Sequence, residues 1–175
     1  MIACVDVHYT QTAATAASVL FYTWADDHSC SEVIERIGYV APYQPGNFYL
    51  RELPCLTAVL AKVRDRPEVV LIDGYVWLGD DRHPGLGARL YKALGMTSAV
   101  VGVAKSHFRD GPSIQKITRG KSSAPLFISA VGIDLEDAAA HIRKMHGHFR
   151  IPTLLKRVDR LCRAHRAFNL SIGCL

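Results

Sequence analysis

The chain has 175 residues, of which 49% are hydrophobic, and a net charge of +5. That composition is too apolar for a disordered chain and sufficient for one domain over residues 1–175 with a sizeable core. No apolar run reaches the ~18–20 residues that a membrane span requires, and the opening "MIACVDVHY" lacks the basic flank and cleavage site of a signal peptide, so a cytoplasmic protein without a membrane partner is expected.

The charge is uneven. Residues 1–100 carry 8 Lys and Arg against 11 Asp and Glu, and residues 101–175 carry 13 against 5. Two such halves suit a polyanion held on one side and brought to a cation-binding site on the other; a solvated basic helix face would give the same counts. The five cysteines, Cys4, Cys30, Cys55, Cys162 and Cys174, are odd in number and show no C-x-x-C spacing. They are expected to be reduced and mostly buried rather than zinc ligands or a disulfide framework. His146 and His148 flank Gly147 and read as a helix end rather than a metal pair.

In chain order, Ile2–Tyr9 alternates Val5 and Val7 with Asp6 and His8, a strand pattern, and 12–24 is rich in Ala, Thr, Val and aromatics, a second strand. Residues 31–40, "SEVIERIGYV", lie between breakers and make a third, so the three form an antiparallel meander. The stretch "RELPCLTAVLAKVRDR" has apolar residues at helical spacing, with Pro54 expected in the first turn, where its missing N–H costs nothing. "EVVLIDG" reads as a buried strand of the parallel kind, 86–94 as a helix and "SAVVGVAK" as another buried strand. Residues 108–123 are polar, a loop or small hairpin; "APLFISAVG" is a further strand; 134–147 and 153–166 are helices, the last strongly basic on its outer face. The order predicts an α/β fold of ribonuclease H-like type: one mixed sheet, an antiparallel three-strand meander plus parallel strands, with helices on both faces. A doubly wound parallel sheet fits less well, because no helix separates the first three strands and no glycine fingerprint follows the first.

Three carboxylates fall where pattern alone does not want charge: Asp6 within the first strand, Asp73 at the end of "VVLID" and Glu52 at the start of the first helix. Singly, Asp73-Gly74 is an ordinary turn and Glu52 ordinary first-turn chemistry favoured by the helix dipole; Asp6 needs a partner. On this topology Asp6 and Asp73 are expected to face each other on neighbouring strands, where like charges would repel unless a cation lay between them. Magnesium, which takes hard oxygen ligands and keeps several waters, suits Asp6 and Asp73, with Glu52 holding one of those waters.

Seven segments, "VDVHY", "PYQPGNFYLRELP", "VVLIDGY", "HPGLGARL", "VVGVAK", "PLFIS" and "HFRIPTLLKRVDRL", together resemble the endonuclease V family, the deoxyinosine 3′-endonucleases. The resemblance covers most of the chain and rests above all on the Tyr-x-Pro-Gly to Arg-Glu block. It implies a Mg2+-dependent endonuclease, with Mn2+ able to substitute, that acts in DNA repair as a monomer on deoxyinosine-containing DNA, or on inosine in RNA, and cuts the second phosphodiester 3′ to the lesion. It makes Asp6, Glu52 and Asp73 the metal-binding catalytic acids and puts Lys105 near the cleaved phosphate. Pro42, Tyr43, Gln44 and Pro45 match the wedge that separates the strands, and Gly46, Gly74 and Gly87 match glycines lining the pocket for the flipped base. His83 is a looser match, because the loop before it is longer. Phe48 and Tyr49 are expected to divide two places, one ring on the pocket wall and one beneath the wedge, and Arg51 to meet either a phosphate or a salt-bridge partner.

The sequence departs from the family in three respects. It opens at the first strand, where family members carry a preceding helix. Tyr75 and Trp77 alter the pocket rim. The family's Gly-His after "I-S" reads "FISAVGIDLED" here, without the last catalytic histidine. Asp134 or Asp137 could supply a fourth catalytic group there; equally, Asp134 could cap the next helix, with Asp137 at its third position. A relative that binds nucleic acid and cuts it poorly is the alternative to an active enzyme.

Overall fold

The computed structural model describes residues 1–10, 13–42, 46–79 and 82–164. Three strands open the chain: β1 (Ile2–Tyr9), β2 (Ala14–Phe21) and β3 (Ser31–Ile37). They are followed by α1 (Tyr49–Leu60), β4 (Val69–Ile72), β5 (Trp77–Leu78), β6 (His83–Pro84), α2 (Leu86–Ala93), β7 (Ala99–Ala104), β8 (Gln115–Ile117), β9 (Leu126–Val131), α3 (Leu135–Lys144) and α4 (Thr153–Ala164). The main sheet has the order β3-β2-β1-β4-β7-β9-β8, and β5 and β6 form a separate ribbon. β1–β2 and β2–β3 pair antiparallel, β1–β4 and β4–β7 parallel, and β7–β9 and β8–β9 antiparallel. This is the mixed sheet expected from the sequence.

Strand alternation divides the core into two layers. Ala3, Val5, Val70 and Ile72 pack with Cys55, Leu56 and Val59 of α1 and Leu90 of α2. Cys4, Leu71, Val101 and Val103 pack with Ala138 and Ile142 of α3 and Leu154 and Val158 of α4. The central strands are thus apolar on both faces, which is why they read as continuous apolar runs. Among the described residues no helix is long and apolar enough to cross a membrane.

Three local expectations change. Pro54 lies not in the first turn but deeper in α1, because the helix begins at Tyr49. The N–H it lacks would serve the carbonyl of Leu50; both residues are exposed, so water can take that carbonyl. The polar stretch 108–123 contains β8, whose three residues add to the sheet edge. Of the cysteines, Cys4, Cys55 and Cys162 are buried and free, but Cys30 is exposed; Cys174 lies outside the described residues.

One buried cation ties the fold to the site. Arg119, 5% exposed, follows β8 and donates to the carbonyls of Arg143, Met145, Gly147, Phe149 and Arg150. It thereby shapes the turn between α3 and α4. Arg150 in that turn donates to the carbonyls of Lys105 and Pro125, holding the end of β7. Replacing Arg119 by leucine strands several buried carbonyls. Arg119→Leu is expected to lower unfolding stability by about 2–4 kcal/mol in urea titrations, against little change for the exposed neighbour Lys121→Leu.

Candidate active site

The site begins with strand register. Val5 of β1 stands level with Ile72 of β4, and Ile72 with Gly102 of β7. Cys4, Leu71, Val101 and Val103 all point to the α3/α4 layer. Continuing the same alternation, Asp6 emerges on that face within β1, just past its parallel pairing with β4, and Asp73 and Lys105 just past the C-terminal ends of β4 and β7; adjacent strands are about 4.8 Å apart. Lys105 Nζ donates to Asp73 Oδ2 at 2.6 Å, and the Val7 N–H donates to Asp6 Oδ1 at 2.8 Å. A crevice joins these three side chains to Ile151, Leu155 and Val158 at the edge of α4.

Glu52 reaches the group from α1. It is 5% exposed, and its Oε2 is buried without a hydrogen-bond partner. Burial, then the charges of Asp6 and Asp73, push its pKa up to about 8. Asp6 is pushed up to about 6, mainly by burial; the Val7 N–H opposes this, while Asp73 and Asp159 add to it. Burial works against the Lys105 ammonium, but the hydrogen bond to Asp73 and the charges of Asp73, Asp6 and Asp159 outweigh it and raise its pKa.

Asp159 was not singled out from the sequence. It lies on α4 between buried Val158 and Cys162, half-buried, and pairs with Arg163 at 3.0 Å. The Cys162 thiol donates to the carbonyl of Asp6 at 3.1 Å, which locks this part of α4 onto β1. An acid flanked by the buried positions of an otherwise basic helix was the available signal. Asp134, by contrast, does not join the group. Its Oδ1 accepts from the N–H groups of Glu136 and Asp137, so it caps α3, as the capping alternative expected. β9 runs antiparallel to β7, with Val131 opposite Val100, whereas Asp73 follows the residue opposite Gly102. Asp134 therefore leaves the sheet at the other end, at least roughly 10 Å along the strands. A fourth catalytic role for Asp134 or Asp137 is corrected on that ground.

A divalent cation suits this set chemically. Crowded hard-oxygen donors with raised pKa values and an unpartnered buried Glu52 oxygen are what a cation would relieve. Among the described residues, however, no three His, Cys, Asp or Glu side chains already converge as a ligand cage. Lys105 supplies the positive charge at Asp73 instead, so seating a metal would require the carboxylates to draw together and Lys105 to shift.

Beside the carboxylates is a cavity of about 280 Å³ whose lining includes Asp73, Gly74, Gly46, Phe48, His83 and Arg89. Gly46 and Gly74 have φ of +78° and +148°, conformations that side chains disfavour. Phe48 and Tyr49 both line the cavity, and Phe48 also meets the Tyr9 ring edge-on at 6.4 Å. Gly87 does not line it. A Cβ there would come within 2.7 Å of Val76 Cγ2, so this glycine lets α2 settle on Val76 and Ile72. Gly85, which the sequence reading passed over, does line the cavity. Among the described residues Arg51 makes no salt bridge; its guanidinium lies 4.4 Å over the Tyr9 ring. Pro42 is exposed, and the remaining wedge positions Tyr43, Gln44 and Pro45 lie outside the described residues.

A mixed sheet of this order, with acids at the ends of its central parallel strands, places the chain among proteins of ribonuclease H-like fold. The sequence profile of Endonuclease V matches residues 1–124. Endonuclease V of Streptomyces avermitilis is 30% identical, over 91% of this chain and 77% of the relative. Its counterpart from Streptomyces coelicolor is also 30% identical, over 91% and 76%. The chain belongs to the endonuclease V family. A crystal structure of the Streptomyces avermitilis protein superposes with a TM-score of 0.73 at 27% identity, covering 94% of this chain and 80% of that one. An Asp-to-Asn variant of Ciona intestinalis endonuclease V, in complex with a 23mer DNA containing an inosine followed by a ribo-adenosine, gives 0.76 at 20% identity over 94% and 84%.

The raised acids give stability a definite pH dependence. Glu52 ionises near 8 when folded, against an ordinary 4.5, so between those values the folded state holds the extra proton. The stability this contributes is full below about 4.5 and is lost as pH rises to about 8; Asp6 adds the same sign between 3.8 and about 6. Without metal, Glu52→Gln is expected to match the parent at pH 4.5 and exceed it by on the order of 3 kcal/mol at pH 8.5. Urea unfolding in EDTA across that range measures the difference; parallel profiles would refute the burial of an ionisable Glu52.

Proposed function

We propose that the protein is a divalent-metal-dependent endonuclease that recognises a flipped hypoxanthine and cuts the second phosphodiester bond 3′ to deoxyinosine. The observation that carries this reading is the sharing of Asp73 between the acidic group and the cavity, which puts a base-sized recess directly beside phosphodiester chemistry. Membership of the endonuclease V family supports it, as does the inosine-containing DNA held by the Ciona relative. A base inside a duplex must leave the stack before it can be read, which costs a few kcal/mol and least at a damaged or mismatched position.

In this reading Asp6, Asp73 and Glu52 hold Mg2+, or Mn2+ in its place, with Asp159 as the nearby fourth carboxylate. The bound ion would polarise the scissile phosphate and lower the pKa of an attacking water. Glu52, ionised once a cation relieves the crowding, would accept a hydrogen bond from that water and orient it. Lys105, released from Asp73, is placed to neutralise charge on the phosphate. The rings of Phe48, Tyr49 and Tyr75 shield one side of the extruded base from solvent. A DNA-repair role is the one that substrate supports.

The Lys105–Asp73 ion pair favours a second reading, a binding protein that cuts poorly because its own lysine occupies the metal's place. Incubation with labelled oligonucleotides bearing one deoxyinosine or one inosine, with Mg2+ or Mn2+, separates the two. Nicking dependent on either ion is expected. Binding without a nick under both would leave only the second reading. Asp73→Asn is expected to reduce nicking at least a hundredfold while binding stays within a few-fold; a fully active variant would refute the assignment of Asp73.

A further inference from the structure

The cavity beside Asp73 carries a cation that the cutting chemistry does not use. Arg89 projects from α2, half-buried, with its guanidinium carbon 3.7 Å from the centroid of the Tyr49 ring. Its Nε is buried and has no hydrogen-bond partner, and among the described residues the side chain makes no hydrogen bond or ion pair. The remaining guanidinium N–H groups are therefore available to an acceptor brought into the cavity. Among the described residues, the one carboxylate on the cavity wall is Asp73, and it is engaged by Lys105 at 2.6 Å.

The rest of the wall narrows the choice. Phe48, Tyr49 and Tyr75 offer ring surface, and about 280 Å³ lies at the lower end of small-ligand sites. A flat ring system carrying two adjacent acceptors fits both the shape and the fork of an arginine. Among bases, 6-oxopurines present that pair as O6 and N7, whereas adenine puts an amino donor beside N7. The stack on Tyr49 holds the guanidinium plane, so its donors need little further ordering on binding.

We propose that Arg89 is a specificity-determining residue of this cavity, donating to O6 and N7 of a 6-oxopurine and thereby rejecting adenine. The proposal rests on the reading of the cavity as the pocket for an extruded base. Guanine shares the same edge; within a duplex it is held back by the greater cost of opening its pair, and a weakly paired hypoxanthine is not.

The test uses three labelled single-stranded oligonucleotides that differ at one base, hypoxanthine, 7-deazahypoxanthine or adenine, with binding read by fluorescence anisotropy in EDTA. The parent is expected to bind the hypoxanthine strand about tenfold more tightly than either other strand. Arg89→Met, which keeps an aliphatic stem on Tyr49, is expected to bring all three to the affinity the parent shows for adenine. A variant that retains the tenfold preference, or weakens all three equally, would overturn the proposal and leave Arg89 a brace for Tyr49. The 7-deaza comparison needs only the parent protein, so a variant that fails to fold does not shelter the idea: equal parental binding of hypoxanthine and its 7-deaza form overturns it. Nicking of the hypoxanthine strand with Mg2+ or Mn2+ is scored in parallel. Nicking without an Arg89-dependent preference sinks the role of Arg89 alone; the preference without nicking sinks the nuclease reading alone.

Discussion

Burial of a group of carboxylates beside the central strands is the constraint around which this molecule is arranged. Asp6 and Asp73 are brought level by parallel pairing of β1 with β4 and come out on the same face. Glu52 enters from the opposite layer and is almost fully buried. Burial first, and the neighbouring negative charges second, push the pKa values of Asp6 and Glu52 up. Lys105 offsets part of that negative charge by pairing with Asp73. Most of the surrounding framework keeps these groups from moving apart.

That framework has two supports. The first is the apolar body of the sheet, buried on both faces, which sets β1, β4 and β7 in register and gives the acids no alternative position. The second is polar: Arg119 gathers five carbonyls of the α3–α4 turn, and Arg150 of that turn holds the carbonyl of Lys105. A one-residue slip in any central strand would send its charged residue to the other face. The geometry of the acidic group is therefore a consequence of sheet register before it is a matter of side-chain choice.

The cavity extends the same logic. Its floor is backbone, with Gly46 and Gly74 in conformations that favour glycine, and its walls are rings and the Arg89–Tyr49 stack. Through Asp73 it opens onto the acids, so the cavity and the acidic group share one residue. Tyr75, whose hydroxyl donates to the carbonyl of Ser106 at 2.8 Å, ties the cavity rim to the segment after β7. The short β5–β6 ribbon carries His83 to the same rim.

Much of this was legible in the sequence because it depends on local pattern. Continuous apolar runs marked the buried strands, the change of period marked the helices, and Asp134 with Asp137 three residues on marked the start of α3. Asp6, Glu52 and Asp73 stood out because each placed charge against its local pattern. What the sequence left open depended on which elements meet. Whether Asp134 capped a helix or served the site could be decided only by the antiparallel course of β9, which carries it to the far end of the sheet. Asp159 was hidden in a basic helix until packing of α4 on β1 brought it beside Asp6. Gly87 proved a packing glycine and Arg89, two residues on, the cavity group, because helix rotation sets one toward Val76 and the other toward Tyr49. Pattern in the chain determined the elements and the acids; tertiary contact alone decided their company, because the charges that share a site come from residues distant in sequence and are joined only by sheet register and helix packing.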